Sequence, residues 1–314
     1  MLFYKLLEKL NQVIFSEKRG RNYHIQGLKN YSNNLISKLI EDKEPILISR
    51  FGAFELNVLK NVKSIKINKK HNPISYLMGS DSKWWFNENL LKKFHFNAGF
   101  FPIKNRENIF KYYDLCMSDI QEINLLGSWL HEEYEFREML RFAKRVLIED
   151  LEPFFSENPW TLSLKNKKVL IIHPFSEDIQ YQYEKRNLLF ENQILPEMDL
   201  KVYKPIELNE AKKIFQSWFD ALEFMKKEIK EIDFDVAIIG AGAYGMNLGA
   251  EIKRWNKKAI HLGGATQLLF GIKGRRWIDY PIQNYPTYNL FNEHWIRPSN
   301  KPTNYKEIEG GCYW

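Results

Sequence analysis

The stretch DFDVAIIGAGAYGMNLGAEIKRW, residues 233–255, decides the fold of this 314-residue chain. Residues 236–239 are continuously apolar, which is typical of a strand buried on both faces of a parallel sheet. A G-x-G-x-x-G pattern begins at Gly240, and the remainder has the apolar spacing of an amphipathic helix. Glycines allow the tight turn and let the backbone approach a phosphate closely, and the N-terminus of the following helix favours negative charge. The alternative is a turn with a purely structural role. The expected contacts to an anionic ligand are Gly240, Gly242, Tyr244 and Gly245.

The same alternation of short apolar runs and amphipathic segments extends outward from this stretch. Strands are predicted at residues 46–49, 123–126, 146–149, 168–172, 200–203, 236–239 and 259–262. Helices are predicted at residues 54–61, 83–94, 107–117, 132–143, 179–190, 209–229, 244–255 and 266–270. Strands that alternate with helices at this spacing require crossover connections. The predicted fold class is therefore α/β, a doubly wound, mostly parallel, Rossmann-like sheet with helices on both faces.

Three regions are expected along the chain. Residues 1–44 form an N-terminal helical segment, whose apolar stripe over 1–14 packs on its own domain or on a second subunit, or lies on an anionic membrane surface. Residues 45–278 form the Rossmann-like catalytic domain, which could consist of two halves joined near 158–168. Residues 279–314 are rich in Pro, Asn and Tyr, and predict an irregular tail that wraps the surface.

Composition narrows the class of protein and its partners. Hydrophobic residues make up 44% of the chain, which excludes global disorder. The net charge of +7 suggests acidic partners, but no long basic block is present, so nucleic acid is not an expected partner. Two cysteines, Cys116 and Cys312, exclude a disulfide framework and a multi-cysteine zinc site. No apolar run approaches the roughly 18 residues of a membrane span. We expect a cytoplasmic protein, with peripheral contact at the inner face of the membrane and homo-oligomerisation as open alternatives.

Several polar residues follow the predicted strands directly. Arg50, Gly52 and Glu55 follow the first strand, and His173 follows the fourth. His261 ends the last strand, and the segment after it supplies further candidates for ligand contact, namely Gly263, Gly264, Gln267, Arg275 and Arg276. Because the carboxyl ends of parallel strands lie along one edge of a sheet, these residues are expected to converge on one ligand site.

The chemistry of these side chains suggests their roles. A carboxylate such as Glu55 can act as a general base toward a hydroxyl group, or it can simply complement the helix dipole. His173 and His261 are the competing candidate bases, with a structural core histidine as the alternative for His173. Arg275 and Arg276 suit pairing with phosphate, or they form a solvated surface pair.

The residue at the end of the strand that follows the glycine-rich turn indicates which class of nucleotide the turn can bind. A dinucleotide-binding fold places an acidic residue there, to bind the ribose. This sequence has His261 at that position, and its glycine-rich turn lies late in the chain. Both observations disfavour NAD(P) and leave a general diphosphate cradle, with an NAD(P)-dependent enzyme as a second hypothesis.

Three segments resemble the GT-D-type glycosyltransferases encoded in bacterial surface-polysaccharide gene clusters. They are ISRFGAFEL (48–56), VLIIHPFSEDIQYQYEKR (169–186) and residues 233–277, which continue the opening stretch to Trp277. The resemblance implies a Rossmann-like fold, a nucleoside-diphosphate sugar as donor, and a glycan or lipid-linked acceptor. It also implies a divalent metal, Mn²⁺ or Mg²⁺, held by an Asp-x-Glu motif after the first strand.

This chain departs from that motif. The matching triplet is Ala53-Phe54-Glu55, so only the glutamate is present and the metal site is in doubt. No cofactor is assigned with certainty, and no residue is assigned as a metal ligand. A non-catalytic, nucleotide-sugar-binding subunit of a polysaccharide assembly complex is therefore a third hypothesis.

Overall fold

A computed structural model of the protein describes residues 29–67, 72–78, 83–279, 287–303 and 305–314. The predicted stripe over residues 1–14 lies outside these described residues. Within them the chain forms a seven-stranded sheet in the order β3-β2-β1-β7-β6-β4-β5, and all of its paired strands are parallel. The strands are β1 (Ile46–Ser49), β2 (Leu125–Ser128), β3 (Lys144–Leu147), β4 (Lys168–Ile172), β5 (Asp199–Tyr203), β6 (Val236–Ile239) and β7 (Lys258–His261). The predicted α/β class with a parallel, Rossmann-like sheet is confirmed.

Helices cover both faces of this sheet. In chain order they are α1 (Lys29–Glu41), α2 (Ala53–Lys66), α3 (Pro73–Leu77), α4 (Glu88–Ala98), α5 (Arg106–Asp119), α6 (Ser176–Glu184), α7 (Arg186–Leu189), α8 (Leu208–Ile214), α9 (Trp218–Lys230), α10 (Gly245–Arg254), α11 (Thr266–Leu269) and α12 (Arg275–Ile278). The β6–turn–α10 unit lies within residues 233–255.

Most strands of the sheet divide their side chains between two cores. In β1, Leu47 joins one buried cluster, whereas Ile46 and Ile48 join the other. Leu170 and Val169 of β4 divide in the same way. This period of two, with apolar residues on both faces, is why these strands read as continuous hydrophobic runs in the sequence.

The connections that follow β1 and β7 leave toward opposite faces of the sheet. Helix α2, after β1, contributes Leu56 and Leu59 to the first core, and α11, after β7, contributes Leu268 to the second core. Since β1 and β7 are neighbouring strands, a crevice opens between the two connections at the carboxyl edge. The topology therefore makes this edge the candidate location of a ligand site.

Several predicted elements differ from the structure in their bounds, and three predicted helices differ in kind or continuity. The helix predicted over residues 179–190 is divided into α6 and α7. The helix predicted over residues 132–143 is a short 3₁₀ helix, His131–Phe136, followed by turns, and its residue Glu133 bonds the preceding loop instead of facing solvent. The long helix predicted over residues 209–229 is divided, because Ser217 caps a new helix, α9, with its hydroxyl oxygen accepting from the Asp220 backbone N–H.

The region after residue 279 is more than a surface wrap. Trp295 and Trp314 are buried in the second core, and Trp295 donates from its indole to the Leu189 carbonyl oxygen at 2.8 Å. These two tryptophans hold the region against the core, because a large aromatic ring whose N–H group finds an acceptor contributes strongly to core stability. None of the helices in the described ranges is both long enough and apolar enough to span a bilayer.

We expect Phe100→Ala to destabilise the fold by about 3–5 kcal/mol, because the ring is fully buried between Phe94 and Trp218. Phe142→Ala is the matched control, since the Phe142 ring is 81% exposed, and its effect should stay within about 0.5 kcal/mol. Urea-induced unfolding measures both. Equal losses in the two variants would contradict the described packing.

Candidate functional site

A cavity of about 850 Å³ runs along the carboxyl edge of the sheet. Its wall includes residues that follow every strand, among them Glu149 after β3, Trp129 after β2, Arg50 after β1, His173 after β4 and Glu207 after β5. The volume falls within the range of small-molecule and cofactor sites. The parallel topology is the cause of this convergence, because it places all seven carboxyl ends together.

The Arg50 guanidinium is fixed on the wall of this cavity. Its Nε and Nη2 atoms donate to the Phe51 carbonyl oxygen at 3.1 and 2.9 Å. The Trp129 indole donates to the same oxygen at 2.9 Å, and the guanidinium lies 5.0 Å from the Trp129 ring centroid. Among the described residues, none accepts a hydrogen bond from Arg50 Nη1, and no carboxylate lies within ion-pair distance of this guanidinium. A planar, stacked arginine with free N–H groups is well suited to a phosphate.

The loop that carries Trp129 is held by a buried carboxylate. Glu133 accepts hydrogen bonds from the backbone N–H groups of Trp129 and Leu130, each at 3.0 Å, and from the Ser128 hydroxyl. Sequence reasoning missed this role, because the pattern over residues 132–143 predicts an ordinary amphipathic helix and gives no sign of a contact with the preceding loop.

Glu55 lies beside Arg50 at the start of α2. Its carboxylate folds back over Gly52, the residue that caps this helix, so closely that a methyl group at Gly52 would overlap it. The carboxylate therefore lies at the positive end of α2 and also lines the cavity. Burial raises the pKa of the Glu55 carboxyl, and the Arg50 charge offsets part of that effect.

The turns after β6 and β7 meet at the middle of the cavity. A Cβ atom placed on Gly240 would lie 2.6 Å from the Gly263 carbonyl oxygen and 2.6 Å from His173 Cδ2. Gly263 has φ +64°, and a Cβ there would lie 2.9 Å from Arg50 Nη1. Glycines at these two positions thus let four strand ends, those of β1, β4, β6 and β7, approach one another. Gly264 in turn packs against the Tyr313 ring.

Both candidate histidines are buried and neutral. Burial lowers the pKa of His173 to about 3 and that of His261 to about 3. The Phe175 backbone N–H donates to His173 Nδ1 at 3.1 Å, which leaves the ring proton of His173 on Nε2. The His261 Nδ1 atom lies 3.1 Å from the Ser49 hydroxyl, and its Nε2 edge covers Gly245. Neither imidazole has the basicity expected of a general base near neutral pH.

Three backbone N–H groups of the glycine-rich turn already donate hydrogen bonds within the protein. The N–H groups of Gly240, Tyr244 and Gly245 donate to the carbonyl oxygens of Ile172, Ala241 and Gly242, respectively. Because the His261 ring also covers Gly245, an anion has less access to this helix N-terminus than the motif suggests. The N–H groups that remain for a ligand in this turn are those of residues 241–243.

The segment around Glu309 closes another side of the cavity. The Glu309 carboxylate forms an ion pair with Arg276 and accepts a hydrogen bond from the Tyr313 hydroxyl at 3.1 Å. The Arg276 Nη1 atom donates to the Tyr313 hydroxyl oxygen at 3.2 Å. Sequence reasoning missed Glu309 and Tyr313, because a segment without helical or strand periodicity gave no indication that it returns to the sheet edge.

Most of the predicted site residues line this cavity. Those that do are Arg50, Gly52, Glu55, His173, Gly240, Gly242, Tyr244, His261, Gly263, Gly264, Gln267 and Arg276. Gly245 does not line the cavity, because the His261 ring covers it. Arg275 does not line the cavity, because its guanidinium turns outward to an ion pair with Asp279, at 2.8 Å. Since α12 is helical, adjacent arginines point in different directions, and the predicted paired action of Arg275 and Arg276 is wrong.

The donor set is not that of a metal centre. Ala53 offers no ligand atom, and the Glu55 carboxylate folds back over Gly52 at the α2 N-terminus. Across the described ranges, no group of three or more His, Cys, Asp or Glu side chains is arranged to hold a metal ion. The Mn²⁺ or Mg²⁺ implied by the family resemblance therefore does not fit these residues.

The cavity has more carboxylates than guanidinium and ammonium groups. Besides Glu55 and Glu309, the carboxylates on its wall are Glu149, Glu152, Glu207 and Glu210, and the cationic groups are Arg50, Lys213 and Arg276. Burial raises the pKa of Glu207. Carboxylates are hydrogen-bond acceptors, so this wall suits a ligand rich in hydroxyl groups, whereas the two arginines provide for a localised negative charge.

Comparisons with known proteins give little beyond this geometry. No family model matches the sequence, and no curated protein matches it. A solved structure of selenomethionine-substituted domain of unknown function 1792 (DUF1792) is similar over 98% of both chains, with 13% identity and a TM-score of 0.40. Another structure, described as showing that domain 1792 "has a distinct glycosyltransferase fold", covers 88% of this chain and 99% of its own, with 11% identity and a TM-score of 0.36. Likenesses this distant assign no family, so the fold rests on the seven-stranded sheet itself.

The buried histidines predict how stability depends on pH. A histidine in the unfolded chain has its ordinary pKa of 6.5, whereas both folded-state values are about 3. The unfolded chain thus binds more protons between about pH 6.5 and about pH 3, so the free energy of unfolding should fall as the pH is lowered through this window.

His173→Asn should make that fall shallower, because asparagine keeps an acceptor for the Phe175 N–H and does not titrate. The measurement is urea-induced unfolding at pH values from about 7 to about 4. His131→Asn, at an exposed position, is the control and should leave the slope unchanged. An unaltered slope in His173→Asn would contradict a neutral, buried His173.

Proposed function

We propose that this protein transfers a sugar from a nucleoside-diphosphate sugar to a hydroxyl group of a glycan or lipid-linked acceptor. The observation that carries the proposal is the cavity in which Arg50 and Arg276 face a wall of carboxylates, at the carboxyl edge of the sheet. The resemblance of three sequence segments to GT-D-type glycosyltransferases supports the same conclusion.

The donor's diphosphate would lie between the two arginines. Arg50 offers its unused N–H groups, and Arg276 lies on the same cavity wall. The N–H groups of residues 241–243 add neutral donors at the adjacent turn. The Trp129 ring supplies an apolar surface against which a base or sugar can stack. Carboxylates elsewhere on the wall would accept hydrogen bonds from sugar hydroxyl groups.

In the proposed reaction the acceptor oxygen attacks the anomeric carbon of the donor sugar. The bond between that carbon and the diphosphate oxygen breaks, and the diphosphate leaves with the electron pair. The acceptor proton passes to Glu55, whose raised pKa makes it a better base than either histidine. Arg50 and Arg276 stabilise the negative charge that develops on the leaving group. This scheme needs no metal ion as leaving-group partner.

An NAD(P)-dependent reaction is less well supported. Dinucleotide-binding folds present a free helix N-terminus to the pyrophosphate. In this protein His261 covers Gly245, the first residue of α10, and three N–H groups of the turn are already bonded. Calorimetric titration with NADH and with nucleotide sugars separates the two functions. Tight binding of NADH, without binding of any nucleotide sugar, would favour the NAD(P)-dependent reaction over sugar transfer.

Arg50→Gln should weaken the binding of a nucleoside diphosphate by about ten- to a hundredfold, because it removes charge-assisted hydrogen bonds. The probe is uridine diphosphate titrated calorimetrically in the presence of EDTA. Arg137→Gln, a surface arginine paired with Glu138, is the control that matches the change of net charge. Unchanged affinity in Arg50→Gln would exclude the proposed diphosphate position.

Glu55→Gln should lower the rate of sugar transfer at least about a hundredfold while the dissociation constant for uridine diphosphate changes little. Transfer or hydrolysis is followed as release of the nucleoside diphosphate from a panel of nucleotide sugars. Glu138→Gln, at an exposed position, should leave both quantities unchanged. A Glu55→Gln variant with the full rate would remove Glu55 from the reaction, and donor binding without turnover in the unaltered protein would favour the non-catalytic hypothesis.

A further inference from the structure

Two arginines face the cavity in different electrostatic states. Arg50 donates to a backbone carbonyl oxygen, and no described carboxylate lies within ion-pair distance of it. Arg276 is already paired, because the Glu309 carboxylate contacts its Nη2 atom. The Glu309 side chain is only 23% exposed, so this ion pair is partly shielded from water. An anion that enters the cavity therefore finds one arginine available and the other occupied.

Glu309, the ion-pair partner of Arg276, belongs to a segment with an unusual backbone. Glu309, Gly310 and Gly311 have φ angles of +47°, +69° and +76°, and the non-glycine residue Glu309 is in the left-handed region that costs free energy. The Glu309 carboxylate also accepts from the Tyr313 hydroxyl, and the Glu309 backbone N–H donates to Asn97 Oδ1 at 3.0 Å. These contacts hold a strained turn in the position that brings its carboxylate to Arg276.

The residues that follow this turn are anchored to the sheet edge by backbone hydrogen bonds. Beyond it, the Arg276 backbone N–H donates to the Cys312 carbonyl oxygen at 2.8 Å, and Gln267 Nε2 donates to the Tyr313 carbonyl oxygen at 3.3 Å. The turn is joined to these residues, because the Gly311 N–H donates to the Ile308 carbonyl oxygen at 2.9 Å and the Gly311 carbonyl oxygen accepts from the Trp314 N–H at 3.3 Å. Residues 312–314 are thus fixed to the sheet edge, and a ligand that displaces Glu309 has to move its side chain away from Arg276 while this anchor remains in place.

We propose that Glu309 is a built-in anionic competitor, which occupies Arg276 until a diphosphate group displaces it. A ligand with a single negative charge merely exchanges one anion for another at Arg276. A diphosphate binds Arg50 at the same time, and the second contact compensates for the release of Glu309. Glu309 would in this way select diphosphate ligands and keep Arg276 neutralised in their absence. This inference rests on the proposed function, but it concerns the binding of pyrophosphate alone.

The test measures inorganic pyrophosphate binding by calorimetry, with EDTA present, in the full-length protein and its variants. Glu309→Gln should tighten binding between about threefold and tenfold, the range for releasing a partly buried ion pair. Glu307→Gln, an exposed residue of the same segment, matches the change of net charge and should have a much smaller effect. Glu309→Asp keeps the charge on a shorter side chain and should give an intermediate affinity.

Two further measurements separate displacement from general electrostatics. In an Arg276→Gln background, Glu309→Gln should no longer tighten pyrophosphate binding. In the unaltered protein, pyrophosphate should accelerate hydrogen exchange at the Ile308, Glu309 and Gly311 amides, because loss of the Glu309–Arg276 contact loosens the turn. Thermal unfolding midpoints verify that each variant remains folded.

The outcomes distinguish this inference from the proposed function. Equal affinity in the unaltered protein and Glu309→Gln, or tightening that persists without Arg276, overturns the inference and leaves sugar transfer intact. Tightening in Glu309→Gln without turnover of any nucleotide sugar supports the inference and counts against the proposed function. Failure of every variant to bind pyrophosphate overturns both.

Discussion

The parallel pairing of β1 with β7 is the constraint on which the rest of this structure depends. It aligns Ile46, Leu47 and Ile48 with Lys258, Ala259 and Ile260, and so joins the first three strands to the last four. With that register fixed, the residues that follow the two strands must emerge side by side. Arg50 then lies against the turn at Gly263, and the connections that leave toward opposite faces open the crevice between them.

Burial gives the groups in this crevice their chemical character. His173 and His261 are deprived of solvent and remain neutral, so they shape the wall and present fixed dipoles. Glu55 experiences the same desolvation but lies at a helix N-terminus beside Arg50, and its pKa nevertheless rises. One environment thus weakens the imidazoles as bases and strengthens a carboxylate, which is why the proposed function assigns proton transfer to Glu55.

Charge in the cavity is distributed unevenly, and this bears on both proposals. Arg50 is positioned by neutral partners, the Phe51 carbonyl oxygen and the Trp129 ring, so its charge remains available to a ligand. The charge of Arg276 is balanced by Glu309. A site built in this way discriminates by the number of negative charges that a ligand brings, since only a ligand that contacts both arginines gains more than it displaces.

The sequence by itself determined the fold class and the position of most strands. Runs such as 169–172 and 236–239 are apolar because both faces of the strand are buried, and this signal is local. It also placed Arg50, His173 and Gly240 at one edge, since parallel topology requires it. Where an element ends depended on tertiary contacts instead, as the division of the helix predicted over 209–229 illustrates.

Only the tertiary structure decided how the site is completed. That Arg276 faces the cavity while Arg275 faces Asp279 depends on the orientation of α12, and adjacent positions carry no such information in the sequence. The contribution of Glu309 and Tyr313 comes from a segment without periodic pattern, which returns to the sheet edge through side-chain contacts distant in sequence. Periodicity reports which face of an element is buried, whereas the meeting of distant loops depends on how the whole chain packs.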